Sequence, residues 1–245
     1  MLARTLFAAL AALYPIAASA QQAPEPAPTP TPAPAFTLFG EVALVSDYRF
    51  RGISLTSRDP ALQASATLLH KSGFYANIWS SNLTDTPLYG ELELDFTGGW
   101  TRKISDAGMV DIGFGYFTYP DGHLREGNAN FGEAFARYSH SVGPVTGTLG
   151  LGYSPKQASL GDQDSLYVSG DLRGTLPDTP VTLNAHFGRT DGALAPNGRY
   201  LDWSLGAMVA VGKAQIGVTY LDTDIPAAVS TNARSGVVGT AKITF

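Results

Sequence analysis

The run SDYRFRGIS, residues 46–54, places three charged side chains in a segment that otherwise has the composition of a β-strand. Because side chains alternate along a strand, Asp47, Arg49 and Arg51 would share one face, and the aromatic residues between them would share the other. Such a strand suits a soluble sandwich, or a membrane barrel whose charged face lines a water-filled lumen. In a barrel, these charges would set a potential that selects among passing solutes.

A second row of charges lies further along the chain. Glu91, Glu93 and Asp95 occupy alternate positions, so on one strand face each carboxylate would lie about 7 Å from the next. Water in a lumen screens their repulsion, whereas in a dry core unpaired carboxylates are costly. The sequence therefore predicts an acidic wall facing the arginines of the first run. The predicted pore-lining residues are Asp47, Arg49, Arg51, Glu91, Glu93, Asp95, Asp111, Glu133, Arg137 and His186.

The same residues allow two other interpretations. Salt bridges from the acids to Arg102 or Arg137 would close the lumen. A barrel that hydrolyses lipids would need a serine nucleophile beside a histidine. His186 is predicted to face inward beside Asn184 and Thr182, but no serine has a compelling context as its nucleophile, so the sequence favours a protein that is not an enzyme.

Cofactor and metal sites have little support in the sequence. The chain has no cysteine, so a thiolate site is excluded, and His123 has no second histidine at ligand spacing. Asp222 and Asp224 are loop acids of the kind that water usually solvates. We predict neither a cofactor nor a metal. The net charge of −5 makes nucleic acid a poor partner.

From residue 37 onward, the strands that would position these residues are joined by connections whose lengths alternate regularly. Many short runs have period 2, and no stretch has a convincing 3.6-residue period. Short turns at 70–73, 105–108, 141–144, 176–180 and 212–213 alternate with longer loops at 52–60, 82–90, 120–128, 155–163, 190–197 and 223–232. This alternation is typical of outer-membrane barrels. It predicts an all-β, up-and-down antiparallel transmembrane β-barrel of about twelve strands with both termini periplasmic.

The strand faces and the aromatic residues agree with a membrane barrel. Leu94, Leu151 and Leu205 belong to apolar faces that would contact outer-membrane lipid. Aromatic side chains gather at membrane interfaces, and here they are predicted near both ends of the strands. The external group is Tyr48, Tyr116, Tyr153, Phe187, Trp203 and Tyr220, and the periplasmic group is Phe74, Trp100, Tyr138 and Phe245.

The two ends of the chain indicate export and assembly. Residues 1–20 contain Arg4, an apolar run and the small residues Ala18-Ser19-Ala20, which is typical of a cleaved signal peptide. Residues 21–35 have proline at nearly every second position and predict an extended periplasmic tether. The barrel would then span residues 36–245. Its last strand ends on Phe245, which resembles the C-terminal signal read by the barrel assembly machinery.

The first charged run and the segments after it resemble the TorF family of porins, which are small outer-membrane proteins of Gram-negative bacteria. The resemblance extends over roughly residues 40–120. It is carried by residues 46–54, Pro60-Ala61-Leu62-Gln63, Gly73-Phe74-Tyr75-Ala76, Trp79-Ser80-Ser81-Asn82, Glu91-Leu92-Glu93-Leu94-Asp95 and Tyr119-Pro120. The resemblance implies an outer-membrane location and a passive channel for small hydrophilic solutes. The proline-rich tether departs from the family pattern.

Besides a soluble β-sandwich, two alternatives to a channel remain. One is a closed structural or recognition barrel that acts through its external loops. The other is the lipid hydrolase considered above.

Overall fold

The computed structural model describes residues 34–122 and 128–245. The predicted signal peptide, residues 1–20, lies outside the described residues, as do His123 and the predicted tether up to residue 33. In the described part of the chain, no helix is long and apolar enough to cross a membrane. The helical residues there form two single turns, Ala158–Leu160 and Thr231–Ala233.

Twelve strands form a closed antiparallel barrel, which confirms the predicted fold. They are β1 (Phe36–Val45), β4 (Ala61–His70), β5 (Phe74–Asn82), β6 (Leu92–Lys103), β7 (Gly108–Thr118), β8 (Phe131–Val142), β9 (Val145–Gln157), β10 (Gln163–Thr175), β11 (Val181–Gly192), β12 (Arg199–Val211), β13 (Ala214–Thr223) and β14 (Gly236–Thr244). Two further strands, β2 (Arg49–Phe50) and β3 (Ile53–Ser54), pair only with each other.

The connections alternate between short and long, as the sequence predicts. All short turns lie at one end of the barrel, the short-turn end, and the longer connections lie at the other, the long-loop end. β1 begins at the short-turn end because Phe36 pairs with His70, next to the first short turn. The C-terminus lies at this end too, because Phe245 exchanges backbone hydrogen bonds of 2.9 and 2.7 Å with Gly40. These bonds extend the β1–β14 seam to the last residue.

The outer surface of the barrel is apolar. Leu151 and Leu205 are 47% and 64% exposed, and large apolar side chains project outward from every barrel strand. The fully buried side chains include an ionisable one, Glu93, and several serines and threonines. This distribution is the reverse of that in a soluble protein, where large apolar side chains occupy the core. It follows from period-2 alternation in a closed sheet, which sends one face of each strand outward and the other inward.

The prediction that residues 46–51 continue a barrel strand is wrong. β1 ends at Val45, and the chain then forms the small β2–β3 hairpin. Arg51 and Gly52 connect its two strands with φ angles of 48° and 84°, in the left-handed region that an extended strand does not contain. Tyr48 therefore does not belong to the external aromatic group that the sequence predicts. It packs against Trp79 with ring centroids 5.2 Å apart.

Candidate functional site

The candidate site is the barrel interior and the hairpin that folds into its long-loop end. We define the inner hairpin as residues 47–56. It contacts inward-facing side chains around much of the barrel: Trp79 on β5, Phe117 on β7, Glu133 on β8, Tyr167 on β10, Tyr200 on β12 and Thr223 on β13. The first charged run therefore crosses the lumen instead of lining it as a strand.

Asp47 organises the inner hairpin from within. Its carboxylate accepts hydrogen bonds from Ser54 Oγ at 2.6 Å and Thr56 Oγ1 at 3.3 Å, and it pairs with Arg49 Nε at 2.6 Å. Arg49 also donates to the carbonyl oxygens of Gly52 and Arg234. Charge-assisted hydrogen bonds of this kind are stronger than neutral ones, so the hairpin is held as a compact unit.

Arg51 joins the inner hairpin to the barrel wall. Its Nη2 lies 2.6 Å from both carboxylate oxygens of Glu133, and both side chains are at least nine-tenths buried. The guanidinium also stacks over the Tyr167 ring, with 4.1 Å between its carbon and the ring centroid. On the backbone side, Tyr200 donates its hydroxyl to the Arg51 carbonyl at 3.0 Å. Residues far apart in sequence thus hold one arginine across the lumen.

Gly52 allows the hairpin to approach the wall closely. A Cβ at this position would lie 2.5 Å from Thr223 Cγ2 and 3.1 Å from Asp202 Cβ. Its positive φ adds to the requirement for glycine. A larger residue would push the hairpin away from β12 and β13.

His186 lies in a polar network beside the hairpin contact. Its Nδ1 lies 2.7 Å from Asp171 Oδ1 and its Nε2 lies 2.9 Å from Asp202 Oδ1. The Tyr167 hydroxyl is 2.9 Å from the same Nε2. In the described residues, the ring nitrogens thus contact two carboxylates and a phenol and no serine hydroxyl. This arrangement lacks the nucleophile of a serine hydrolase.

The predicted row of three carboxylates on one strand face is wrong for Glu91. This residue precedes β6 and is exposed, whereas Glu93 and Asp95 lie within β6 and are buried. Glu93 accepts a hydrogen bond from the Tyr119 hydroxyl at 3.1 Å. Burial and the nearby Glu93 carboxylate raise the pKa of Tyr119 far above its usual value, so this phenol remains a donor.

The acids of β6 belong to a closed environment rather than an open wall. Tyr119 packs with buried Leu83, Ala129 and Phe131, and Tyr48 and Phe117 join the same cluster. This apolar cluster lies at the long-loop end, next to the inner hairpin.

The open half of the interior contains Asp111 and Arg137. Their closest charged atoms are 3.5 Å apart, and the Arg137 side chain is 49% exposed. Tyr75 donates its hydroxyl to Asp111 at 2.9 Å. A loose ion pair of this kind leaves the guanidinium partly exposed to the interior.

Sequence reasoning missed several interior residues that period-2 alternation could have found. Asp171 and Arg173 follow Tyr167 on the inward face of β10, and Asp202 faces inward on β12. Within the described residues, Arg173 makes no hydrogen bond or ion pair. Glu41 and Lys242 form a further pair of 2.9 Å across the β1–β14 seam.

Groups of three or more metal-ligating side chains are not found among the described residues. Asp222 hydrogen-bonds to Tyr220 and to the backbone of Thr223, and Asp224 bonds to the backbone of Leu201. Asp222 lies within β13 and not in a loop, and both acids have protein partners.

One family profile and several solved structures are similar to this chain. The profile of the family described as "Bacterial protein of unknown function (Gcw_chp)" matches residues 29–245. No curated protein sequence matches the chain significantly.

Solved structures share its fold. The NanC porin superposes with a TM-score of 0.56 at 10% identity, over 85% of this chain and 99% of the porin chain. The KdgM porin, in complex with a disordered oligogalacturonate, superposes with a TM-score of 0.55 at 8% identity, over 85% of this chain and 97% of its own. At these identities the similarity establishes a porin-like barrel fold.

Proposed function

We propose that this chain, which belongs to the Gcw_chp family of bacterial proteins, is an outer-membrane porin that lets small hydrophilic solutes diffuse through a narrow, charged lumen. The observation that carries the proposal is the distribution of side chains, with an apolar surface outside and hydroxyls, amides and charges inside. An apolar exterior suits lipid, and an interior with half-exposed charges suits water.

The size of the barrel is compatible with a narrow channel. Twelve strands spaced about 4.8 Å apart and tilted about 40° give a backbone diameter of about 24 Å. Inward side chains take about 5 Å on each wall, since packed sheets lie about 10 Å apart. A width of about 14 Å would therefore remain where no loop enters, which is sufficient for hydrated small solutes.

The remaining features follow from this proposal. The short-turn end and both chain ends would face the periplasm, and residues 1–20 would direct export before cleavage. Phe245 would present the last strand to the barrel assembly machinery. We assign the chain to the TorF porins on the segments between residues 40 and 120.

Arg137 and Arg173 would favour anionic solutes, and the oligogalacturonate held by the KdgM porin is a solute of that charge.

Liposome swelling tests the channel. Refolded protein should admit small sugars at a rate that rises with protein load, and planar bilayers should show discrete conductance steps. The absence of swelling and of conductance at any load, with the barrel folded, would refute the proposal. An Arg189→Ala variant is a suitable control because this arginine pairs with Asp191 and is half exposed on the outer face.

A closed barrel that acts through its external loops is the second candidate. The packing of the long-loop end favours it, because Ile53 of the inner hairpin packs against the buried cluster of Ala195, Tyr200, Ile225 and Ala233. A closed barrel predicts no swelling even after the hairpin has been removed. A lipid hydrolase has less support, because His186 lacks a serine partner in the described residues.

A further inference from the structure

We infer that the inner hairpin, residues 47–56, is the constriction of the channel, and that the Arg51–Glu133 ion pair is the latch that holds it across the lumen and sets the solute size limit. This inference rests on the proposed function. It assigns the size selection of the channel to two residues that lie 82 positions apart in sequence.

The inner hairpin occupies the cross-section through which a solute would pass. Phe50 packs edge-on against Phe117 on one side of the lumen, with ring centroids 5.7 Å apart. On the other side, Gly52 lies against Thr223 and Asp202. A two-stranded ribbon with its side chains is about as wide as the free width estimated above, so it nearly fills the lumen.

The hairpin has a hydrogen-bond network of its own, separate from its contacts with the wall. The bonds made by Asp47 to Arg49, Ser54 and Thr56 all lie within the hairpin. Among the described residues, its hydrogen bonds to barrel strands are those of Arg51 with Glu133 and Tyr200, and that of the Tyr48 side chain with Glu93 on β6. Loss of the Arg51 contacts therefore frees the hairpin from β8 and β12, while Tyr48 still holds it to β5 and β6.

The buried Arg51–Glu133 ion pair is stable only while both side chains are present. Both side chains are nearly fully buried, and removal of one partner leaves an uncompensated charge next to the lumen. Hydration of that charge requires water to enter between the hairpin and β8. Either single substitution should therefore open the same path, and the double substitution should add little to it.

The test compares wild type with Arg51→Ala, Glu133→Ala and the double variant in planar bilayers and in liposome swelling with sugars of increasing size. A fourth variant replaces residues 49–54 with two glycines. The Arg189→Ala and Asp191→Ala substitutions are the matched control, because they break an arginine–carboxylate pair on the outer face. Circular dichroism and the gel-mobility shift on heating verify that each barrel is folded.

We expect both single variants to raise conductance by about threefold or more, because conductance scales with the open cross-section. They should also admit larger sugars, and the double variant should match the single ones. The same size limit and conductance in wild type, latch variants and hairpin deletion would overturn the inference and leave the channel intact. If no variant conducts, including the hairpin deletion, the proposed function fails and the inference fails with it.

Discussion

Neighbouring residues in the middle of β13 offer a direct test of which barrel face contacts lipid. Val218 projects outward and is 57% exposed, whereas Thr219 projects inward beside Gly206. The two side chains have the same shape, so substitution of each by lysine changes volume and charge equally. Only the surroundings of the new ammonium group differ.

The expected costs differ because of those surroundings. In Val218→Lys, the ammonium group enters the hydrocarbon near the bilayer centre, which costs about 2–4 kcal/mol of folding free energy. This is about a 30- to 700-fold change in the folding equilibrium. In Thr219→Lys, the side chain extends into the lumen beside a glycine, and the cost should stay below about 1 kcal/mol.

Guanidinium unfolding in lipid vesicles, followed by fluorescence of the three tryptophans, measures both costs. Wild type, the two lysine variants and a Thr219→Val control should be compared in the same vesicles. If Thr219→Lys costs as much as Val218→Lys, or more, the apolar face does not contact lipid. The membrane location and the channel would then both be refuted.

Three further results are expected. Arg137→Glu should shift the bilayer reversal potential toward cation selectivity, because this side chain is half exposed in the lumen, and an unchanged potential would contradict its role. Deletion of Phe245 should lower the yield of folded barrel in the outer membrane several-fold, because its backbone closes the seam with Gly40, and an equal yield would exclude that role. Asp47→Asn should destabilise the inner hairpin by about 1–3 kcal/mol, seen as faster amide exchange in residues 47–56 and not in β12.

Patterns among residues close together in the sequence determined most of the fold. Alternation of apolar and polar residues specifies strands with two different faces, and glycine, proline and asparagine mark the turns. These signals depend on neighbours in sequence, so the number of strands, the rhythm of connections and the outward position of Leu205 could be predicted. Glu93 and Asp95 were recognised as inward for the same reason.

The tertiary structure alone decided where the first charged run lies. Alternating residues suit a barrel strand and a hairpin equally well, so periodicity could not separate a wall segment from one that folds into the lumen. The choice depends on partners that are distant in sequence, Glu133 for the Arg51 side chain and Tyr200 for its carbonyl. Only closure of the barrel brings these groups to one point, where the buried guanidinium finds its compensating charge.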